Sequence, residues 1–361
     1  MSRLPPWTGG RLGIVMMSAL GDAVHVLPLL DALKRHAPAT HVTWVLQPGP
    51  AVMVQGHPLV DDVVIFQRAL GLRAYGDVRR RLRVRPFDVL LNLQVYFKAG
   101  IVTRLARAPV KLGFDVARAR DLNWLFTTHR IPPHAQQHVQ DQYFEFLDAL
   151  AVPHGEPQWH LGPTDAERAA ARTLVAGAGE GNGPLIGMVV ASSKREKNWM
   201  PERYAEAATA LAREAGARCV LLGGPSAIER EAADRILASA GPRPVDALGS
   251  GLRTLLGLLD LCDVVISPDT GPLHMAVAMD VPAVGLYGYN NPKRVGPYRR
   301  FGDLLLDAYG DPGEDYPISM AHRLGRMERI ATEAVVAKVR LALQRYAAGP
   351  PWRRGRPVRP A

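Results

Sequence analysis

The stretch "RLGIVMMSALGDAVHVLPLLDALKR" (residues 11–35) decides the fold. An apolar run from Arg11 to Met17 breaks at the Gly21-Asp22 corner, and a helix-like apolar pattern follows from Ala23 to Arg35. A strand that turns through a tight corner into a helix is the first half of a βαβ unit. Pro28 lies inside the helical pattern, so it should kink that helix or mark where its regular part starts. Arg3 and Arg11 ahead of the apolar run loosely imitate a secretory signal. A strand entering a corner explains the same residues and also those that follow.

Working outward, the alternation continues. "HVTWVLQ" (41–47), "DDVVIF" (61–66) and "FDVLLNLQ" (87–94) read as further strands. Strands separated by helices imply a buried parallel sheet. The text then turns rich in Pro, Gly and His at "VPHGEPQWHLGP" (152–163), a linker signature, and a Gly-rich loop, "GAGEGNGP" (177–184), precedes a fresh strand at "LIGMVV" (185–190). The second half repeats the pattern: a helix over 201–215, strand 218–224, helix 226–240, helix 251–260, strand 263–267, a helix from Pro272 and strand 283–288. A last amphipathic helix covers 327–347. The fold class is α/β, with two doubly wound domains of similar size and a cleft between them. The expected division is 1–160, 161–330, a C-terminal helix over 331–347 and a basic tail over 348–361.

Composition agrees with this division. The 361 residues suit two domains of about 150 each, and 47% hydrophobic with 22% charged residues is the balance of a folded chain. No apolar run reaches the length that spans a bilayer. Two cysteines, Cys219 and Cys262, cannot build a disulfide framework, and their apolar surroundings read as buried thiols in a reducing cytoplasm. The net charge of +10 favours a polyanionic partner: nucleic acid, an anionic membrane surface or a phosphorylated substrate. Arginines cluster at "RRRLRVR" (79–85) and in "RRGRPVRP" (353–360), and each cluster also reads as a solvated helix face or a tail. The first holds no aromatic residues of the kind that nucleic-acid modules interleave with such charge.

A doubly wound sheet binds ligands beyond the carboxyl ends of its strands, so the chemistry is sought there. In "SPDTGPLHMAVAMDVPAVGLYG" (267–288), a buried strand ends at Ser267, and Asp269-Thr270-Gly271 forms a tight loop. Pro272 then occupies the first position of a helix. Free amides at that helix start suit a diphosphate, with the Thr270 hydroxyl and the Gly271 amide as donors and His274 one turn on. A plain cap and turn is the alternative. In "ASSKREKNWMPERY" (191–204), Ser192 and Ser193 offer hydroxyls and Lys197 offers a cation for a departing diphosphate. An exposed surface lysine is the alternative there. Asp22 is either an acid at a helix start or, facing phosphates held by the second domain, a general base for an incoming hydroxyl. The corner lacks a G-x-G-x-x-G fingerprint, which argues against a nicotinamide oxidoreductase.

Jointly, "SALGDAVHVLPLLDALKR" and "DTGPLHMAVAMDVPAVGLYG" resemble glycosyltransferase family 9, the ADP-heptose:lipopolysaccharide heptosyltransferases. The resemblance extends through "NLQVYFKAGIVTRLARAPVKLGFD" (92–115), "SSKREKNWMPERY" and "LLGGPSAIERE" (221–231), and covers 11–345 in order and spacing. The block with Gln94, Lys98 and "ARARDLNWLF" (117–126) most resembles the heptosyltransferase I branch, which adds the first heptose to the Kdo of the inner core.

The resemblance implies a GT-B fold, an inverting mechanism, no metal and no cofactor, with ADP-heptose as donor. It places Asp22 on the family's base and Lys197 on the lysine that contacts the diphosphate. Ser192 and Ser193 take the hydroxyl pair near the phosphates, and Asp269, Thr270, Gly271 and His274 take the D-T-G-x-x-H element. Glu229 falls near the acid that contacts the ribose. Lys98, Arg118 and Arg120 fall on the acceptor side, where cations would meet Kdo carboxylates and lipid A phosphates. The implied partners are the nucleotide sugar, the anionic acceptor and the membrane surface, with no nucleic acid. The implied location is the inner face of the bacterial inner membrane. Two departures stand out: Met16-Met17 replaces a basic residue of many relatives, and Pro272 follows the D-T-G where leucine is typical. A catalytically silent nucleotide or glycolipid binder, or a relative using another nucleotide sugar, is the rival reading.

Overall fold

The computed structural model describes residues 4–176 and 183–346, so most of the Gly-rich loop and the arginines of 353–360 lie outside the described residues. The chain divides into two compact units, Met1–His160 and Leu161–Ala361.

In the first unit the order is β1 (Arg11–Val15), α1 (Leu20–His36), β2 (His41–Leu46), α2 (Pro48–Val54), β3 (Asp62–Ile65) and α3 (Leu72–Leu82). Then come β4 (Val89–Asn92), α4 (Phe97–Leu105), β5 (Val110–Gly113), β6 (His129–Arg130) and α5 (Val139–Ala149). The six strands form one sheet, ordered β3-β2-β1-β4-β5-β6, with every pair parallel. Helices cover both faces, so the strands carry near-continuous apolar runs rather than an alternating pattern. On one face α1 packs against α5. Residues Ala23 to Leu33 are all buried, and the one acid among them, Asp31, pairs with Arg35 at 2.8 Å and meets His160 Nε2 at 2.8 Å. A helix apolar nearly all round is one enclosed on all sides. On the other face Ala74, Val78 and Leu82 of α3 point at Val45, Val64 and Leu90 of the sheet, which leaves the α3 arginines outside.

The second unit runs α6 (Asp165–Val175), β7 (Leu185–Val189), α7 (Pro201–Ala215), β8 (Arg218–Leu222), α8 (Ala227–Ser239) and β9 (Val245–Asp246). It continues with α9 (Leu252–Leu261), β10 (Val264–Pro268), α10 (Gly271–Ala278), β11 (Ala283–Tyr287), α11 (Pro292–Val295), β12 (Leu306–Asp307) and α12 (Thr332–Arg345). Its sheet is also fully parallel, ordered β12-β11-β10-β7-β8-β9. Renumbered within its own unit, this is the same 3-2-1-4-5-6 order as the first. In such sheets the strand order reverses between the first and fourth strands, and the crevice at that reversal is the ligand site. It falls between β1 and β4 in the first unit and between β7 and β10 in the second.

Several boundaries differ from the sequence reading. Helix α1 begins at Leu20, not Ala23, and runs through Pro28, so the proline does not mark where the helix starts. Burial against α5 and the sheet outweighs the loss of one backbone hydrogen bond. Pro272 is the second helical residue, after Gly271, a place that equally needs no amide. The last helix begins at Thr332, and residues 327–329 form a separate 3₁₀ turn. Both cysteines are buried, and burial pushes the Cys219 thiol up to about 12 and Cys262 higher still.

Helices α6 and α9 show how closely the second unit is packed. Glu167 holds Arg253 in a two-pronged contact at 2.6 and 2.9 Å, and Arg168 reaches Asp260 at 2.7 Å. Between these pairs a Cβ on Gly257 would lie 2.5 Å from the Glu167 carbonyl oxygen. In an isolated helix Gly257→Ala would gain about 1 kcal/mol. Here the methyl group meets backbone that cannot rotate away, and overpacking costs about 1–3 kcal/mol. Thermal unfolding of Gly257→Ala is therefore expected at a lower midpoint than wild type, and an unchanged or raised midpoint would contradict the close helix contact.

Candidate active site

In the second unit the loop after β7 is built on its own hydrogen bonds. The Asn198 Oδ1 accepts from the Ser192 amide at 2.7 Å and from the Ser192 hydroxyl at 2.8 Å, closing residues 192–198 into a loop. Arg195–Lys197 forms a 3₁₀ turn within it. Next to the turn, Trp199 is buried; its indole donates to the Ile330 carbonyl at 2.9 Å and its ring stands edge-on to Tyr204. Lys197 is thereby fixed between a closed loop and a buried anchor. Its ammonium lies 3.1 Å from Asp269 Oδ2, so it is not a loose surface lysine.

Asp269 follows β10, next to β7 at the strand-order reversal, and is only 8% exposed. Its Oδ1 faces His274 Nε2 at 3.1 Å, and its Oδ2 accepts from the Asn290 side-chain amide. Burial alone would raise the pKa of this carboxyl. Lys197, His274 and Asn290 outweigh that and hold it far below the ordinary carboxylate value. An ionised carboxylate only accepts hydrogen bonds, so His274 must carry its proton on Nε2. One carboxylate thus collects the loops after β7, β10 and β11 and the first turn of α10.

The remaining donor candidates divide. Gly271 is the first residue of α10, where the amide has no acceptor within the helix. Thr270 is more engaged than the sequence suggested: Ser267 gives its proton to the Pro268 carbonyl at 2.8 Å, which leaves Thr270 to donate to Ser267 at 3.0 Å. Ser192 is likewise turned inward, onto Asn198 and the Lys194 carbonyl, while Ser193 is exposed. The Glu229 carboxylate accepts from the Gly224 amide at 2.6 Å and from the Ser226 hydroxyl at 2.6 Å, as half of the capping box of α8. Its role in this structure is to shape the β8–α8 turn.

Within the first unit the corner after β1 carries Asp22 at the third position of α1. Its Oδ2 accepts from the Ala19 amide at 2.9 Å. Alanine has no side-chain oxygen to complete a capping box, so this acid does one half of that work alone. Gln94, after β4, bridges the reversal: its Oε1 takes the Met17 amide at 3.0 Å and its Nε2 gives to the Ser18 carbonyl at 2.5 Å. Beside it lies a cavity of about 380 Å³, lined by residues that include Ser18, Gln47, Arg68, Gln94, Tyr96 and Lys98.

Arg118 does not join that cavity as a free cation, and the sequence expectation for it is corrected here. Its guanidinium is 3% exposed, held by Asp115 at 2.5 Å and by both oxygens of Glu145 at 2.6 Å. Burial alone would lower its pKa, but the hydrogen bonds from Glu145 and Asp115 raise it. The charge is spent on folding the 115–118 turn onto α5. Lys98 and Arg120 are exposed, and Lys98 lines the cavity. Sequence reasoning missed Asn290, because "GLYGYNNP" reads as a strand end. Its one available signal was a polar residue beyond β11, the neighbour of β10. Among the described residues no group of three or more His, Cys, Asp or Glu is arranged to hold a metal ion.

Each α/β unit has an all-parallel sheet with polar groups gathered at its strand-order reversal, and residues 75–308 match the profile of glycosyltransferase family 9 (heptosyltransferase). The chain belongs to that family, and it is a glycosyltransferase. Lipopolysaccharide core heptosyltransferase OpsX of Haemophilus influenzae is 29% identical over 85% of this chain and 89% of its own length. Lipopolysaccharide heptosyltransferase 1 of Escherichia coli K12 is 29% identical over 80% of this chain and 91% of its own. Among solved structures, a family 9 glycosyl transferase from Veillonella parvula superposes with a TM-score of 0.79 at 23% identity, covering 93% of this chain and 97% of that one. The E. coli heptosyltransferase WaaC with ADP gives 0.70 at 24% identity, covering 92% and 99%. The fold is the GT-B fold of these heptosyltransferases.

The cluster around Asp269 yields a stability prediction. Removing one partner of a buried ion pair strands the other, at a cost of about 3–5 kcal/mol. Lys197 keeps some contact with water, so Asp269→Asn is expected near the low end, about 3 kcal/mol in chemical denaturation at neutral pH. The native carboxyl titrates below the ordinary value of 3.8, so its contribution is complete above that pH and disappears only as the pH falls toward the depressed native value. The stability difference between wild type and variant should therefore be present at neutral pH and be lost only in acid, below the ordinary value of 3.8. A difference absent at neutral pH would contradict the assignment.

Proposed function

We propose that the protein transfers a heptose from ADP-heptose to the Kdo region of the lipopolysaccharide inner core, with inversion and without a metal ion. The observation that carries this reading is Lys197, fixed beside Asp269 at the start of α10. A positioned cation and a helix N-terminus together suit a leaving diphosphate, and they supply the charge that a metal supplies elsewhere. Relatives named as lipopolysaccharide core heptosyltransferases support the acceptor class, and WaaC was solved both with ADP and with ADP-2-deoxy-2-fluoro heptose.

In this reading the first unit binds the acceptor in the cavity beside Gln94, with Lys98 and Arg120 offering charge to its carboxylates and phosphates. The second unit binds the nucleotide sugar through residues 161–330. Asp22 takes the proton from the acceptor hydroxyl, and the oxygen attacks the anomeric carbon on the face opposite the diphosphate. As that C–O bond forms, the bond from the same carbon to the diphosphate oxygen breaks, and its electron pair leaves with ADP. Lys197 and the Gly271 amide stabilise the charge that develops there, with Ser193 and the Thr270 oxygen at the edge of the site. No helix of the described residues is long and apolar enough to cross a membrane. In this reading an acceptor carried on lipid A puts the protein at the inner face of the inner membrane as a peripheral enzyme.

Three measurements test this. ADP at 100 times its dissociation constant should stabilise the protein by about 2.7 kcal/mol, and UDP, GDP, dTDP and NAD at the same concentration should do markedly less. A preference for another nucleotide would keep the transferase and overturn the donor. Asp22→Asn retains an oxygen for the Ala19 amide but cannot take a proton. Its turnover should fall by about 10²-fold or more with the ADP response unchanged, and near-wild-type turnover would remove Asp22 as the base. Turnover should also be unaffected by EDTA, whereas loss of activity restored by a divalent ion would overturn metal independence.

A further inference from the structure

The loop after β11 brings a third donor to Asp269, and two of the three meet at one atom. Oδ1 of the carboxylate faces His274 Nε2 at 3.1 Å. Oδ2 takes both the Lys197 ammonium, at 3.1 Å, and the Asn290 side-chain amide. An ionised carboxylate has no proton to give, so Asn290 presents its nitrogen to that oxygen. Lys197 and Asn290 therefore share a single acceptor.

The backbone that carries Asn290 is held from its other side by a strap, 309–329, that follows β12. The Arg323 amide donates to the Tyr289 carbonyl at 3.0 Å, and Asn290 and His322 form an antiparallel bridge. The rings of Tyr289 and His322 stack at 4.6 Å, 14° from parallel. The Asn291 side chain donates to the Pro317 carbonyl at 2.8 Å, and a Cβ on Gly288 would lie 2.6 Å from the Met327 amide nitrogen. Ion pairs close the strap on itself. Arg323 grips Glu314 with two contacts at 2.6 and 2.5 Å, and Asp311 takes Arg326 at 2.5 Å and Arg329 at 2.6 Å. Asn290 thus reaches the carboxylate from a position set independently of Asp269. Lys194 lies 5.6 Å over the Tyr289 ring, so the loop of Lys197 meets the same frame.

A hydrogen bond to the ionised form of a carboxyl stabilises that form. With Asn290 in place, the buried charge of Asp269 does not depend on its two cationic neighbours alone, and the ammonium can turn part of its charge to a second anion. Without the amide, Oδ2 is left to Lys197, and the buried pair draws tighter. A neutral donor suits this position. A cation there would compete with Lys197 for the carboxylate, and an acid would give Lys197 a second acceptor.

We propose that Asn290 is a positioning residue of the transfer reaction: by sharing Asp269 Oδ2 it keeps Lys197 beside the carboxylate yet available to the diphosphate. The inference rests on the reading of Lys197 as the diphosphate contact. A tie that merely fastens two loops together is the alternative, and the two differ in the sign of what happens to Lys197 when the amide is removed.

The test is competitive acylation of the ligand-free full chain with acetic anhydride at mildly alkaline pH, with labelling of Lys197 read by mass spectrometry against the exposed Lys98. The reagent takes only the neutral amine, and a tighter ion pair keeps the amine protonated, so Asn290→Ala should slow the labelling by about threefold or more. Asn290→Asp keeps the shape of the side chain and loses the donor. It should slow the labelling too, and it decides the matter if alanine lowers the thermal unfolding midpoint. In turnover, Asn290→Ala should lower kcat by about tenfold with the acceptor KM unchanged, as when a contact made only in the transition state is weakened. Unchanged or faster labelling in the deciding variant would overturn the proposal, because an untied loop exposes Lys197 rather than withholding it. A loss of turnover carried wholly by the acceptor KM would overturn it as well. The labelling needs no nucleotide: slower labelling in a protein that ADP does not stabilise would keep the effect of Asn290 on Lys197 and remove the donor reading instead.

Discussion

A carboxylate held in its charged form by its neighbours organises the second unit. Asp269 is buried at the end of β10, and its ionised form is worth keeping only because Lys197 from the loop after β7, His274 from the first turn of α10 and Asn290 from the loop after β11 come to it. Each of those contacts also fixes the partner. Lys197 cannot wander into solvent, His274 is held to one protonation pattern on Nε2, and Asn290 ties the loop beyond β11 to the same point. The charge that would meet a diphosphate is thus positioned before any ligand arrives, which is the condition under which electrostatic stabilisation accelerates a reaction.

The first unit reaches a comparable arrangement with neutral groups. Gln94 crosses from β4 to the corner after β1 with both ends of its amide engaged, so the Met17–Ser18 backbone has a defined place beside the cavity. Asp22 sits one turn further, its carboxylate accepting from the Ala19 amide. The two units therefore use the same strand order for different chemistry. One presents a cation and an open helix start, the other a carboxylate and a neutral bridge, as expected if an anionic leaving group and a hydroxyl nucleophile are handled separately.

Arginine in this chain shows how little composition says about use. The guanidinium of Arg118 is wholly taken up by Asp115 and Glu145 and contributes a fold, whereas the cations of α3 remain outside because Ala74, Val78 and Leu82 fill the inner face of the helix. Both kinds count equally toward a net charge of +10. Only position separates a structural ion pair from a surface that can meet a phosphate.

The sequence by itself determined the α/β class, the repeated strand-and-helix order and the stretches that lead into the loops beyond the carboxyl ends of the strands. Those features are local: apolar runs of strand length, helical periodicity, and Gly, Pro and Asp at corners act through neighbours in the chain. It also singled out Asp22 and Lys197 as candidates, because residue types suited to proton transfer and diphosphate binding stand at strand ends, and it placed Asp269 in the loop after a buried strand. Tertiary structure alone decided which of these groups meet. Lys197 and Asp269 are 72 positions apart and touch only because β7 and β10 are neighbours in the sheet. The burial of Arg118, the inward turn of Ser192 and the part played by Asn290 were equally invisible, since each depends on a partner brought from elsewhere in the chain. Hydrogen bonds and ion pairs of this kind are set by the pairing order of strands, which no single stretch of sequence encodes.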